Sequence, residues 1–256
     1  MSLHIKPICA FEDNYIWTIH DEQRAILVDP GDAKPALDYL HKNNLNLIGV
    51  LITHHHYDHI NGVTELLKHY PNCEIFAPID PRIGFKTSTV KEGDLAIIEA
   101  LELQFQVIET PGHTSSHVCY YNDKWLFCGD TLFNMGCGRM FEGTAKQFVN
   151  SLNKLKALDD DLLVYCTHEY TLTNLAFALS LEPENSLLIQ YRDKITKMRQ
   201  QHKPSIPVPL KLQKSLNPFL RTDRLEMYNF INNKTNSKID NEIDCFAKMR
   251  QMKDIF

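Results

Sequence analysis

The run Thr53-His54-His55-His56-Tyr57-Asp58-His59 closes a wholly apolar stretch, residues 47–52, and is the densest group of metal-binding side chains in the chain. Imidazole is largely neutral at pH 7, so His54, His56 and His59 can take a cation without a large proton penalty. The same local pattern recurs three times, each a strand-like run followed by a small or turn-forming residue and then a ligand. These are Thr110-Pro111-Gly112-His113-Thr114, Phe127-Cys128-Gly129-Asp130-Thr131 and Tyr165-Cys166-Thr167-His168-Glu169. Loops at one rim of a sheet can converge although they are distant in sequence. The expected arrangement is two cations, one on His54, His56 and His113, the other on Asp58, His59 and His168, with Asp130 between them. A carboxylate can span two ions roughly 3.5–4 Å apart. The chemistry this suits is hydrolysis by metal-primed water, with Asp58 also orienting the attacking group. His55 and His117 are expected to support the ligands or to be structural, and His4, His20, His41, His69 and His202 receive no role.

Rigid elements must place these loops. Alternation and β-branched content predict strands over residues 15–19, 24–28, 47–52, 74–77, 95–98, 104–109, 118–121, 125–128 and 162–166. Asp29-Pro30-Gly31-Asp32 reads as a turn. Helical spacing predicts helices over residues 35–43, 60–69 and 145–158. After residue 170 strand signal nearly vanishes, and residues 171–181, 184–202, 223–233 and 239–252 read as helices. Pro204, Pro207 and Pro209 exclude a continuous helix over residues 203–217, which is expected to be a connecting loop. Strands with intervening helices predict a sheet sandwich covered by helices over residues 1–170, then a smaller helical domain over residues 171–256.

The bulk properties exclude several classes. Hydrophobic content of 43%, charged content of 23% and a formal charge of −5 describe an ordinary globular chain without a surface for nucleic acid. No apolar run approaches the ~18 residues of a membrane span. The first residues, interrupted by His4, Lys6, Glu12 and Asp13, do not read as a signal peptide. Seven cysteines, odd in number and mostly in apolar runs, are expected as free thiols in a reducing compartment. A cytoplasmic monomer is the expectation.

THHHYDH matches the T-H-x-H-x-D-H signature of the metallo-β-lactamase superfamily, and TPGHT, CGDTLF and THEYT follow in the order of that signature. Within it the chain resembles the glyoxalase II (hydroxyacylglutathione hydrolase) family. That narrower likeness rests on THHHYDH itself, on residues 136–143 (GCGRMFEG), on His168-Glu169-Tyr170-Thr171, and on Met249-Arg250-Gln251-Met252-Lys253-Asp254. The resemblance implies an αββα sandwich followed by an all-helical C-terminal domain that contributes to substrate binding. It implies two divalent metal ions, with zinc first and iron or manganese as alternatives. The substrates it implies are S-2-hydroxyacylglutathione thioesters, chiefly S-D-lactoylglutathione from methylglyoxal degradation. Arg139, Tyr170, Arg250 and Lys253 would sit at the glutathione-binding positions. Where some relatives read Lys-Phe-Tyr, this chain reads Arg139-Met140-Phe141, keeping a cation and giving up a phenol hydroxyl.

Two other classes compete. The same metal fold could oxidise a persulfide at one iron, or cleave nucleic acid or lactams. Alternatively the chain could be a non-catalytic module that buffers zinc or senses oxidation. The first needs open positions on a redox-active ion. The second is weakened by the lack of any C-x-x-C spacing.

Overall fold

The computed structural model describes residues 2–256, which divide into two compact units interleaved in sequence. One comprises residues up to 109 together with 116–129; the other comprises 110–115 together with 130–256.

The first unit is built on two sheets. Strands β1 (His4–Ala10), β2 (Asn14–His20), β3 (Arg24–Val28), β4 (Asn46–Leu51), β5 (Glu74–Pro78) and β6 (Ser88–Val90) form one sheet in chain order. β1, β2 and β3 pair antiparallel, and β3 through β6 pair parallel. The parallel steps need crossovers. Helix α1 (Ala33–Lys42) supplies the first, and the second contains the short α2 (Tyr57–Ile60) and α3 (Val63–His69). Ala36 and Leu40 of α1 and Val63 and Leu66 of α3 are buried in one cluster with Leu27, Val50 and Ala77 of the sheet. The second sheet of this unit is an antiparallel run of β7 (Leu95–Ile98), β8 (Leu103–Glu109), β9 (Val118–Tyr121) and β10 (Trp125–Gly129). The sheets stack face to face: the fully buried Tyr120 of β9 donates its hydroxyl to the Ile52 and Phe76 carbonyls at 2.9 and 3.2 Å. The layered sandwich expected from the sequence is present in this helix–sheet–sheet order.

The second unit is mainly helical. A two-stranded ribbon, β11 (Leu132–Phe133) with β12 (Gly136–Cys137), precedes α4 (Ala145–Lys156), which opens on a capping box of Thr144 and Gln147. β13 (Leu163–Cys166) pairs antiparallel with β14 (Val208–Pro209). Helices α5 (Thr171–Leu181), α6 (Ser186–Gln200), α7 (Leu210–Leu216), α8 (Leu225–Thr235) and α9 (Glu242–Asp254) complete the unit. Leu175 and Ala178 of α5, Leu188 and Ile195 of α6 and Leu216 of α7 bury against Met135. A buried knot of amides holds the β11–β12 turn: Gln213 donates to Asn134 at 2.7 Å and accepts from the Met135 backbone N–H at 3.0 Å.

Three expectations need correction. The segment 203–217 is not all loop, because Pro209 stands just before α7 and its missing N–H costs nothing where a helix begins. The helix expected over 60–69 is two helices, since the Gly62 backbone turns to donate to the Pro30 carbonyl at 3.1 Å. Strands β1 and β6 and the β11–β12 ribbon were outside the expected set; β1 carries Pro7 and polar alternation, and the others are too short to show a period. The cysteines are free, with Cys119, Cys128, Cys137, Cys166 and Cys245 buried, but Cys9 is exposed. Among the described residues no helix is long and apolar enough to cross a membrane.

Candidate metal centre and substrate pocket

In the first unit the ligand run leaves the end of β4, and α2 begins at Tyr57, so the backbone turns back at once to present Asp58 and His59. One carboxylate organises the run. Asp29, 1% exposed, accepts from the Thr53 backbone N–H and the Thr53 hydroxyl, both at 2.7 Å, and from His59 Nδ1 at 2.9 Å. Because a carboxylate only accepts, His59 carries its hydrogen on Nδ1 and keeps a lone pair on Nε2. The Thr53 hydroxyl is spent on Asp29, so it accepts from His54 Nδ1 at 3.0 Å, which leaves His54 Nε2 as a lone pair too. His54 Nε2 and His56 Nδ1 stand 3.0 Å apart, and His59 Nε2 lies 3.7 Å from Asp58 Oδ2. The Asn14 amide donates to Asp58 Oδ2 at 3.0 Å. Gly31 permits this packing: a Cβ there would lie 1.8 Å from the Asp58 carbonyl oxygen.

His55 turns to Asp80 at 3.5 Å, and Asp80 is itself held by Arg82 and by the Ser116 hydroxyl. These contacts, Arg82 foremost, hold the Asp80 carboxyl well below the usual range. His117 stacks on His54 with ring centres 4.8 Å apart.

In the second unit His113 donates from Nδ1 to the Arg139 carbonyl at 2.9 Å, so its Nε2 carries a lone pair, 3.4 Å from Asp130 Oδ2. His168 Nε2 approaches the same oxygen at 3.5 Å. Gly138 makes room, since a Cβ there would lie 2.0 Å from the Asp130 carbonyl oxygen. Two imidazole nitrogens directed at one carboxylate oxygen, all three buried, repel one another unless a cation or protons lie among them. The donor set therefore fits a divalent metal. Of the seven expected ligands, His54, His56, Asp58 and His59 stand together in the first unit, and His113, Asp130 and His168 in the second.

A cavity of about 470 Å³ in the second unit is lined by His113 and Asp130 and also by Phe133, Phe141, Tyr170, Arg139, Arg250, Lys253 and Asp254. That volume suits a small organic ligand. Tyr170 stacks on His168 with centres 4.7 Å apart and planes 3° apart, and Phe133 meets both rings edge-on. Phe141 packs edge-on against His113 at 5.3 Å. The four substrate-binding residues expected from the resemblance thus share one wall system, but not one environment. Arg139 is largely exposed. Arg250 is 4% exposed, donating from Nη1 to the Cys137 and Gly138 carbonyls at 2.9 and 3.4 Å and from Nη2 to Asp254 at 3.0 Å. Lys253 donates to the Thr173 carbonyl at 3.4 Å and sits over the Phe177 and Phe256 rings. Burial first, then the Arg250 charge, pushes the Lys253 ammonium down to about 8. Burial pushes the Cys137 and Cys166 thiols up to about 11 and about 12, so neither is a thiolate at neutral pH.

Sequence reasoning missed Asn14, Asp29, Phe133 and Asp254. Asp29 had a usable signal, because it ends an apolar strand just as Asp130 does. Asn14, by contrast, carries no local mark.

A family model described as the metallo-β-lactamase superfamily matches residues 11–168, and one described as the hydroxyacylglutathione hydrolase C-terminus matches residues 169–256. A hydroxyacylglutathione hydrolase of Aliivibrio fischeri (strain ATCC 700601 / ES114) is 46% identical over 99% of this chain and 100% of its own length. One of Citrobacter koseri is 43% identical over the same shares. Among solved structures, ETHE1 from Myxococcus xanthus superposes with a TM-score of 0.67 at 23% identity, over 99% of this chain and 100% of that one. The BLEG-1 B3 metallo-β-lactamase reaches 0.61 at 21% identity, over 86% and 99%. These two likenesses show the fold alone, a metallo-β-lactamase fold followed by helices. With one model matching the ligand-bearing part, another the helical remainder, and full-length relatives above 40% identity, the chain belongs to the hydroxyacylglutathione hydrolase family of the metallo-β-lactamase superfamily.

Proposed function

We propose that the chain hydrolyses S-2-hydroxyacylglutathione thioesters, chiefly S-D-lactoylglutathione, releasing glutathione and a 2-hydroxy acid. The observation that carries this reading is the single cavity whose wall holds the His113–Asp130 ligand pair together with the Arg139 and Lys253 cations. On this reading His54, His56 and His113 hold one divalent ion, Asp58, His59 and His168 a second, and Asp130 serves both. Residues 1–170 then act as the catalytic domain and 171–256 as the helical domain that completes the substrate pocket. Zinc suits the nitrogen and oxygen donors, with iron or manganese as alternatives. When bound, such ions supply an activated water at neutral pH and polarise the thioester carbonyl.

The chain's own residues do the rest. Asn14 fixes Asp58 so that its carboxylate can orient the attacking water. Arg139 and Lys253 bind the substrate's carboxylates. The Phe133 and Phe141 rings keep bulk water from the two imidazoles they pack against. The leaving group is a thiolate whose thiol has a pKa of about 8.5, so no general acid is needed. An amide nitrogen would need one, and this favours the thioester. The protein is expected to act as a cytoplasmic monomer without nucleic-acid or membrane partners. The test is thiol release from S-D-lactoylglutathione by metal-replete protein, its loss on chelation, and its return with metal. Asp58→Ala should abolish turnover while melting like the parent protein. Absence of turnover in metal-replete protein would overturn the proposal.

A further inference from the structure

Besides the proposed ligands His113 and Asp130, the cavity of the second unit is lined by three cations, Arg139, Arg250 and Lys253, and one acid, Asp254, and they are not equally available. Arg250 is committed to two backbone carbonyls and to Asp254, which leaves Arg139 and Lys253 as its accessible cations. Asp254 is the last residue of α9, where a negative charge opposes the helix dipole. Its Oδ1 takes the Arg250 contact at 3.0 Å and the longer Arg139 contact at 3.8 Å, while its side chain stays 40% exposed on the cavity wall. The second carboxylate oxygen thus keeps acceptor capacity. A glutathione group carries two carboxylates and one ammonium. Arg139 and Lys253 can take the two carboxylates, and the partly exposed Asp254 carboxylate, though shared with Arg250, can still accept from the ammonium.

We infer that Asp254 receives the α-ammonium of the substrate's γ-glutamyl group and so selects for thioesters with a free amine there. The inference rests on the thioester reading above. An exposed ion pair is worth up to about 1 kcal/mol, or about five-fold in affinity. It should be read mainly in KM, because this amine is remote from the bond that breaks.

The test compares S-D-lactoylglutathione with its analogue lacking the α-amine, assayed by thiol release with the parent protein, Asp254→Asn and Asp254→Glu. The parent should prefer the amine substrate about five-fold in kcat/KM. Asp254→Asn should bring the ratio close to one, and Asp254→Glu should restore a preference. Equal loss on both substrates with the ratio unchanged would overturn the inference, leaving Asp254 as a support for the arginines. Absence of a preference in the parent would overturn it too. Release of thiol from neither substrate would remove the thioester reading and this inference with it, an outcome distinct from a preference that fails to appear.

Discussion

Asp29→Asn should disable the centre although Asp29 is not among the proposed ligands. The carboxylate holds Thr53 N–H, Thr53 Oγ1 and His59 Nδ1, and through the Thr53 hydroxyl it sets the hydrogen of His54. The isosteric amide keeps one acceptor oxygen, enough for the Thr53 N–H, but turns an NH2 toward the other two groups. Thr53 then donates to His54 instead of accepting, and His59 must accept on Nδ1. Both imidazoles are driven to the tautomer that places a hydrogen on Nε2, the atom proposed to bind metal. Two charge-assisted hydrogen bonds in a buried site become neutral ones, at a cost of about 1 kcal/mol each, so the metal-free protein should lose about 2 kcal/mol. Metal affinity should fall by roughly 10–100-fold, as when an outer partner of a metal-bound histidine is removed. Urea unfolding of metal-free protein reads the first number, and competition with a chromophoric chelator reads the second. Parent-like affinity in the folded variant would refute the tautomer argument, even if stability fell as expected.

Other outcomes follow from the same geometry. Lys253, lowered to about 8 by burial and by Arg250, should lose its charge as pH rises through that value, so KM should climb between pH 7 and 9. In Lys253→Arg this climb should be absent, because a guanidinium stays charged; an equal climb would place the titration elsewhere. For stability the sign runs the other way. Between pH 8 and the ordinary lysine range the unfolded chain binds the proton and the native protein does not, so stability should rise with pH there. Lys253→Met should flatten that slope in melts taken from pH 8 to 10. Gly31→Ala places a methyl 1.8 Å from the Asp58 carbonyl oxygen, so the backbone carrying Asp58 must shift. A loss of at least about 2 kcal/mol in denaturant, with weakened metal binding, is expected; a parent-like melt would show that the turn relaxes freely.

The sequence by itself was enough to mark the proposed ligands. A histidine or aspartate at the end of an apolar run, followed by a turn, is a pattern within a few residues, and four copies of it stood out. The cationic motif near residue 250 was equally legible as a string. What each member does was decided by packing. Arg250 and Lys253 lie three apart on one helix, yet one is sealed against backbone carbonyls and the other is poised near neutral pH by its burial. Asp29 read as part of a turn; only the parallel register of β3 beside β4 brings it against Thr53 and His59, 24 and 30 residues away. The α7 helix was hidden because the prolines that forbid a long helix also precede a short one. Local patterns carry residue type and period, whereas tautomers, burial and charge pairing depend on neighbours that the chain meets only after it folds.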